Sequence, residues 1–437
     1  MKSNLKTTMR KDYLLKFCLL FVAVAAGFFW ISADNHVYAI TLEESIAKAL
    51  TSSDQAKVIE EGRNYSNAEA DKVDTFTRPR IDTVVKYHEL GTTADDSPFM
   101  VTPDRQIATG VTATHLLWAG GRISESRELK KNLKGLGQLQ ESSMKRDLAK
   151  QVSNAFVAVL YQQARLDVLQ DRVKQRTDEL SDATDLFEAG MVTNLDVREA
   201  KLQLHVAKDD LRSGESQFHT ALVDFNLTLG EGGDNTLFSP EGLLVRPQGL
   251  GDNLIKLETL YNEKRQLDIK KAAEAVNISV RSLNIAKDEV KPALSLIAGT
   301  EYGGDKFSGM EASWNVGAQL TWNFYDGGTI DAGIAAARAQ QNSSKATLNQ
   351  AQKSISGALN KLRAEVESLD RRIALQQETV SLSNGNYEDA RGLYLTGTMT
   401  LTRLGDFNLL YAEARFNLLQ LYYLENVISI EISSLID

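Results

Sequence analysis

The side chains that could do chemistry in this chain are few and scattered. The five histidines are His36, His88, His115, His205 and His219, and none stands at metal-ligand spacing from another. The sequence has no glycine-rich phosphate loop and no G-x-S-x-G nucleophile motif. An enzyme is therefore the disfavoured class, and the sequence predicts no catalytic residue, no metal ligand and no cofactor.

The N-terminal residues resemble an export signal. A positively charged start precedes a mostly apolar stretch, Leu19–Ile31, and Val37-Tyr38-Ala39 offers small residues at the −3 and −1 positions of a cleavage site. We expect a signal peptide over residues 1–39, with an uncleaved anchor helix as the alternative. The one cysteine, Cys18, lies inside it, so the mature chain would have no thiol for a disulfide, a metal site or a lipid anchor.

The net charge disfavours nucleic acid as a partner, and the hydropathy disfavours a transmembrane helix. The formal net charge is −9 at pH 7, and loss of the positively charged signal would leave the mature chain more acidic still. An acidic chain is not expected to bind nucleic acid. No run of 18 apolar residues follows the signal, so the sequence predicts no transmembrane helix, and any crossing of a membrane would have to use β-strands.

The strongest pattern is an internal repeat at a fixed offset of 207 residues. Trp118-Ala119-Gly120-Gly121 returns as Tyr325-Asp326-Gly327-Gly328, and residues 186–190 return as residues 393–397. Between these anchors both halves carry apolar residues at every seventh position: Val152, Val159, Leu166, Val173, Leu180 and Phe187 in the first, and Leu359, Val366, Ile373, Val380, Tyr387 and Tyr394 in the second. Each half is therefore predicted to be the same structural unit.

The repeat divides the chain into successive parts. We expect, after the signal peptide, a first repeat over residues 40–229, a connector over 230–254 that is rich in glycine and proline, and a second repeat over 255–437. Each repeat is predicted to contain a helix, a β-hairpin (about 80–118 and about 293–325) and a long helix pair.

The long helices are predicted from proline-free spans with a seven-residue period. Arg122 to Leu186 could form one helix of 65 residues, roughly 97 Å long. A helix of that length requires a coiled coil or an elongated bundle, and the period implies left-handed supercoiling with its neighbours. Gly135 and Gly137 are its weak points, where a bend is possible.

The hairpins are predicted from strict alternation. From Ser313 to Phe324, apolar residues face one side and polar residues the other. Trp314 and Trp322 share the apolar face at roughly 26 Å, which matches the apolar band of an outer-membrane barrel, about 25 Å tall with aromatic edges. A soluble sheet with one buried face is the alternative. Four strands cannot close a barrel, so a barrel would require several copies of the chain.

The whole mature chain resembles the TolC family of outer-membrane efflux and secretion channels. The resemblance rests on Leu42-Glu43-Glu44-Ser45-Ile46, on the glycine pairs after Trp118 and Tyr325, and on residues 187–197. It implies a fold that is mainly α with a transmembrane β part. It also implies a homotrimer in the cell outer membrane, in which a 12-stranded β-barrel continues as an α-helical tube through the periplasm.

The resemblance also implies the function and the partners. The chain would be the channel of a tripartite efflux or type I secretion system, a passive exit duct surrounded by outer-membrane lipid. An inner-membrane transporter would deliver substrates through a periplasmic adaptor (membrane fusion) protein. The alternative is a periplasmic coiled-coil adaptor or scaffold protein without a barrel, which would have no need of two amphipathic hairpins.

The resemblance assigns the turns of the two helix pairs to the periplasmic tip and to adaptor contact. A glycine lets such a tight turn adopt a positive φ, so a purely structural turn is the alternative. The residues at these positions are Gly190, Met191, Val192, Gly397, Thr398 and Met399.

The resemblance further assigns a pore constriction to the second tip, where the family has a basic residue and two acidic ones. These fall on Met399, Arg403 and Asp406, so only Asp406 keeps the family's residue type. Tyr394 matches an aromatic residue of the constriction, and Asp196 matches the acidic residue of the first tip. We expect pairs between Arg403 and Asp406, one helical turn apart, to help close the tip and to weaken cation preference. Solvated surface charges are the alternative.

Overall fold

In the computed structural model of this chain, the described residues are 37–89, 105–232, 237–304 and 309–436. The part of the predicted signal peptide before residue 37 lies outside them. The helices are α1 (Leu42–Ser52), α2 (Asp54–Lys72), α3 (Arg122–Glu188), α4 (Asn194–Thr228), α5 (Leu250–Asn262), α6 (Leu267–Asp288), α7 (Thr329–Leu395) and α8 (Leu401–Ile436). The strands are β1 (Val37–Ile40), β2 (Arg80–Glu89), β3 (Arg105–Trp118), β4 (Leu237–Pro240), β5 (Ala293–Gly304) and β6 (Glu311–Thr321). The prediction of a mainly helical chain with two β-hairpins is confirmed.

The two longest helices, α3 and α7, each have 67 residues. Their first residues, Arg122 and Thr329, are separated by the repeat offset of 207 residues, and so are their last residues, Glu188 and Leu395. Helix α3 runs through Gly135 and Gly137 without interruption. At Gly137 a Cβ atom would collide with the hydroxyl of Ser66 on α2. This glycine therefore serves the close approach of two helices rather than a break in one of them.

The described chain forms two compact units. The turn unit comprises the chain up to Ser53, Gln151–Arg246 and Ile373–Leu424. The strand unit comprises Asp54–Lys150, Pro247–Arg372 and the chain from Glu425 onward. None of the helices within the described residues is both long and apolar enough to cross a membrane.

In the turn unit, β1 pairs in parallel with β4. Asn226 of α4 fixes β4, because its side-chain amide donates to the Phe238 carbonyl at 2.9 Å and accepts from the Phe238 N–H at 2.8 Å. Strand β1 also overlaps the predicted signal peptide. Cleavage after Ala39 would remove three of its four residues.

In the strand unit, the two hairpins form one antiparallel sheet in the order β2-β3-β5-β6. The sequence predicts each hairpin separately; the pairing of β3 with β5, which joins them, is a further finding. Strand β6 begins at Glu311 and ends at Thr321, so the predicted strand starts two residues late and runs three residues too far. Trp322 lies just beyond β6, and its indole N–H donates to the Val290 carbonyl at 3.0 Å. Every residue of β6 is exposed in the single chain, including Trp314 at 78 %.

The beginning of α3 is held between α2 and α6 within the strand unit. On one side Lys134 pairs with Asp71 of α2 at 2.9 Å. On the other, Asn132 donates to Glu274 of α6 at 2.6 Å. Further along the chain, a separate apolar core joins α5, α7 and the end of α8: Leu250, Leu254, Leu257, Leu359, Leu362 and Ile432.

Asp268 at the start of α6 anchors that helix to α3. Its carboxylate accepts from Arg146 at 3.1 Å and from Gln266 at 3.1 Å, and it pairs with Lys271 at 3.1 Å. Burial alone would raise the pKa of Asp268, but hydrogen bonds from Gln266, Lys271 and Arg146 outweigh it and lower the pKa to about 2. The charged form is therefore the one that the folded state stabilises.

Replacing Asp268 by asparagine is expected to lower the free energy of unfolding by about 2 kcal/mol near neutral pH. Arg146 then loses its half-buried partner and keeps the more exposed Asp147. The folded-state pKa lies below the unfolded value of about 3.9. The stabilisation is therefore present above the unfolded pKa and disappears as the pH falls through about 2. Urea unfolding followed by circular dichroism, at a series of pH values, measures the difference. Glu128→Gln, an exposed change on α3, is the control; a gap between wild type and Asp268→Asn that is constant with pH would contradict the assignment.

Candidate functional site

The turn between α3 and α4 is closed by glycine. Gly190 has a φ of 74°, which residues with a Cβ atom rarely adopt. Its N–H donates to the Phe187 carbonyl at 2.9 Å, and the N–H of Met191 donates to the Leu186 carbonyl at 2.9 Å. This pair of hydrogen bonds satisfies the carbonyls at the end of the helix and stops it.

The turn between α7 and α8 repeats this geometry. Gly397 also has a φ of 74°, and its N–H donates to the Tyr394 carbonyl at 2.9 Å. The two turns meet within one chain, since a Cβ atom on Gly397 would lie 3.2 Å from the Sδ-bound methyl carbon, Cε, of Met191. Of the six predicted tip residues, Val192 and Met399 are partly buried and the other four are exposed.

Asp196, predicted to line a constriction, caps α4. One of its carboxylate oxygens accepts from the N–H of Thr193 at 2.8 Å and from the hydroxyl of Thr193 at 2.7 Å. These bonds lower the pKa of Asp196. The carboxylate thus stabilises the first turn of its own helix, where a negative charge also interacts favourably with the helix dipole.

Arg403 takes the place of Asp196 in the second repeat and cannot cap in this way. The hydroxyl oxygen of Thr400 accepts from the Arg403 N–H at 3.4 Å, but an arginine side chain has no acceptor with which to complete the box. Instead its guanidinium lies 3.6 Å from Asp406 and over the ring of Phe407, 5.0 Å from the centroid. Both charged side chains are more than half exposed, so the pair contributes little to stability.

Directly beyond the turns lies an apolar cluster that joins all four helix ends. Its buried members are Ala183, Leu186, Ala200, Tyr387, Ala390, Tyr394, Leu401 and Leu404. Met399 packs against it, which gives a physical role to the methionine found where the family has a basic residue. Tyr394 is 1 % exposed, and its hydroxyl has no hydrogen-bond partner among the residues that the structure describes. Burial raises the pKa of Tyr394 to about 12, so in one chain this ring packs the tip rather than facing solvent.

A buried guanidinium lies next to this cluster. Arg176 of α3 donates to Glu179 at 2.6 Å and to Gln203 of α4 at 2.7 Å. Its other terminal nitrogen donates to the carbonyl of Gly405 on α8 at 3.3 Å. The side chain is only 5 % exposed. One arginine therefore contacts three of the four helices that form the turns.

The carboxylate of Glu179 connects the remaining helix. It accepts from the side-chain amide of Asn408 on α8 at 3.0 Å and from the hydroxyl of Tyr387 on α7 at 3.3 Å. We call Arg176, Glu179, Gln203, Tyr387 and Asn408 the buried ion network. It fastens the helix pair α3/α4 to the helix pair α7/α8.

Burying the charged groups of the network costs desolvation free energy. Burial raises the pKa of Glu179, against the opposing effects of Arg176, Tyr387 and Asn408. The Nε of Arg176 and the Oδ1 of Asn408 are buried, and neither has a hydrogen-bond partner within the described ranges of the chain. Because desolvating two charges offsets much of their attraction, the pair contributes geometry more than net stability, whereas removing one partner leaves an unpaired buried charge.

The sequence reasoning missed this network, although one signal was present. Arg176 lies three residues after Val173, at the second core position of the heptad, where an apolar residue is the rule. A second ion pair between the helices was not predicted either: Arg391 of α7 pairs with Asp182 of α3 at 2.9 Å.

Comparison with known proteins identifies the family. A family model described as "Outer membrane efflux protein" matches residues 46–231 and 262–435. The chain belongs to the outer membrane efflux protein family. The resemblance to TolC-type channels is thereby confirmed, and the chain stands among outer-membrane channel proteins rather than among enzymes or periplasmic adaptors.

Individual relatives of this outer membrane efflux protein are distant in sequence. Nodulation protein T of Rhizobium leguminosarum bv. trifolii is 24 % identical over 256 residues, which span 54 % of this chain and about half, 53 %, of that protein. The structure of CusC matches with a TM-score of 0.76 at 17 % identity, over 92 % of this chain and 93 % of that one. The outer membrane protein VceC of Vibrio cholerae matches with 0.75 at 13 % identity, over 90 % and 94 %. At these low identities, the matches show that this chain shares the fold of the two solved structures.

A double-mutant cycle tests whether the buried ion network acts as a unit. Glu179→Gln is expected to lower the free energy of unfolding by about 3 kcal/mol, because it leaves Arg176 charged and buried without a counter-ion. The cycle compares Arg176→Met and Glu179→Leu, each made alone, with the two made together, and the double variant is expected to be less destabilised than Glu179→Gln. Urea unfolding gives all the values, with Glu188→Gln, exposed at the end of α3, as the control. Strictly additive effects would contradict a coupled pair.

Proposed function

We propose that this chain is the outer-membrane channel of a tripartite efflux or type I secretion system. It is a passive exit duct that receives substrates from an inner-membrane transporter through a periplasmic adaptor protein. Membership of the outer membrane efflux protein family, over both repeats, is the observation that carries the proposal. The fold common to this chain, CusC and VceC supports it.

The working form is a homotrimer with a 12-stranded transmembrane barrel. One chain supplies four strands, and the smallest closed membrane barrels have about eight. The outer strands of the sheet, β2 and β6, each have one edge with no partner strand in the described chain. Because backbone N–H and C=O groups cannot stay unpaired in lipid, these edges pair with strands of another copy. Trp314 and Trp322, both exposed, form the aromatic belt at the lipid interface.

The helices continue as a tube into the periplasm, with neighbouring copies completing its wall. Leu195 and Leu202 on α4, and Leu375 and Leu382 on α7, are between 63 % and 65 % exposed in the single chain. Each pair is spaced by seven residues, which is the period of a coiled-coil seam. Helices of the adjacent copies cover these leucines in the trimer.

The turns form the end of the tube that meets the adaptor. Gly190, Met191, Gly397 and Thr398 are exposed there, while Val192 and Met399 support the turns from the apolar cluster. The closed state keeps the pair α7/α8 fastened to α3/α4 through the buried ion network. Opening of the tip separates these pairs, so Glu179 and Arg176 control the gate through packing, whereas Arg403 and Asp406 set the charge of the constriction.

Membrane fractionation tests the proposed location and class. The chain is expected in the outer-membrane fraction, resistant to extraction by carbonate or urea, and to form conducting channels in planar bilayers after purification in detergent. Release into the soluble fraction by carbonate would instead favour an adaptor or scaffold protein.

Arg403→Asp tests the charge of the constriction. The change replaces three positive charges in the trimer by three negative ones close to Asp406, so the cation over anion permeability ratio is expected to rise severalfold. Reversal potentials in asymmetric salt across a planar bilayer measure it. Arg371→Asp, the same change at an exposed position on α7 far from the turns, is the control. An unchanged ratio for Arg403→Asp would remove Arg403 from the conduction path.

A further inference from the structure

A groove with a volume of about 790 Å³ opens along the beginning of α3, within the strand unit. Four basic side chains of α3 line it, together with Asn132 and with Glu274 of α6: Arg127, Lys130, Lys131 and Lys134. We call it the basic groove. Nothing in the proposed passage of substrates uses it.

Two of the four cations are neutralised from outside the groove. Lys130 pairs with Asp71 at 3.0 Å and with Asp74 at 3.2 Å, and Lys134 pairs with Asp71 at 2.9 Å. Hydrogen bonds from Lys134 and Lys130 lower the pKa of Asp71 to about 2, so this carboxylate stays charged. These lysines serve the packing of α2 against α3.

The other two cations, Arg127 and Lys131, form no ion pair with any residue that the structure describes. They are exposed and one helical turn apart, so their side chains project from the same face of α3. The acidic residue of the groove does not neutralise them. Each carboxylate oxygen of Glu274 is taken by an amide, from Asn132 at 2.6 Å and from Asn277 at 3.0 Å.

This arrangement fits a phosphate-bearing ligand. A guanidinium binds a phosphate through two parallel hydrogen bonds, and a lysine one turn away adds a second charge. The Oδ1 atom of Asn132 is buried and has no hydrogen-bond partner in the described chain. It can accept from a hydroxyl group of the same ligand, next to the phosphate.

The position of the basic groove relates it to the membrane. Strand β3 ends at Trp118, and Arg127 and Lys131 follow the first residue of α3 by about 8 and 14 Å of helix. If the strands span the hydrocarbon layer, the head groups occupy about 5 to 8 Å beyond its edge. The long side chains of arginine and lysine reach back over such a distance to the interface.

We propose that the basic groove binds the phosphate of an anionic phospholipid head group, through Arg127 and Lys131, from the leaflet that faces the helices. The proposal rests on the proposed function for the position of the membrane. The groove would then fix the depth at which the barrel sits in the bilayer.

Native mass spectrometry of the full chain in detergent tests this proposal. The protein is titrated with phosphatidylglycerol, with the zwitterionic phosphatidylcholine, and with inorganic phosphate. We expect retained adducts of phosphatidylglycerol alone, and at least about tenfold weaker binding in the double variant Arg127→Gln with Lys131→Gln. The matched control, Lys174→Gln with Lys201→Gln, also removes two exposed cations from the helices but leaves the groove intact.

Equal binding of phosphatidylglycerol by the groove variant and the wild type would overturn the proposal. If inorganic phosphate is retained as well as phosphatidylglycerol, the groove binds phosphate in general, and the assignment to a lipid head group is wrong. Circular dichroism is used to check that both variants are folded. The measurement needs no channel activity, so a chain that binds the lipid but does not conduct would contradict the proposed function and leave this site standing.

Discussion

The structure depends on the burial of one apolar stripe along two helices of 67 residues. A helix of that length gains little from its own hydrogen bonds in water and is stable only where its stripe packs against other helices. Val152, Val159 and Ile373, all on the seven-residue register, are fully buried. The remaining elements follow from this requirement, because the turns, the paired helices and the flanking short helices are what bring a second surface to the stripe. The leucines at positions 195 and 202 of α4 and 375 and 382 of α7 stay uncovered in the single chain.

Sequence predicted the elements because their signals are local. Alternation, the heptad period and glycine at the turns gave the hairpins and the long helices, and the start of α3 at Arg122 was predicted to the residue. The pairing of β3 with β5 was not predicted, since it joins strands nearly two hundred residues apart and depends on edges rather than on composition. The burial of Tyr394 in the single chain was not predicted, for a related reason. Its register equivalent, Phe187, is 42 % exposed, and only the three-dimensional packing shows that one ring is inside the tip and the other is not.

The buried ion network escaped prediction because it breaks the repeat. The residues that match Arg176 and Glu179 in the second half are Ser383 and Asn386, which carry no charge. Duplication gives two similar helix pairs, but it gives no means of fixing one pair to the other in a single arrangement. Asn408 and Tyr387 reach across from the second pair to a charge that exists only in the first. The charged residues that only the first repeat contains therefore fix how α7/α8 is aligned with α3/α4.

A buried ion pair is a poor choice for stability alone, since apolar residues of similar volume often stabilise a site equally well or better. Its distinguishing property is directionality: a guanidinium and a carboxylate hold their partners only at short range and in a narrow range of angles. An apolar interface between α3/α4 and α7/α8 would tolerate sliding by small steps. The network around Glu179 tolerates one arrangement, and any separation that admits water hydrates both charges and removes the penalty of their burial. The network therefore favours one packed arrangement of α3/α4 against α7/α8 over a series of intermediate ones.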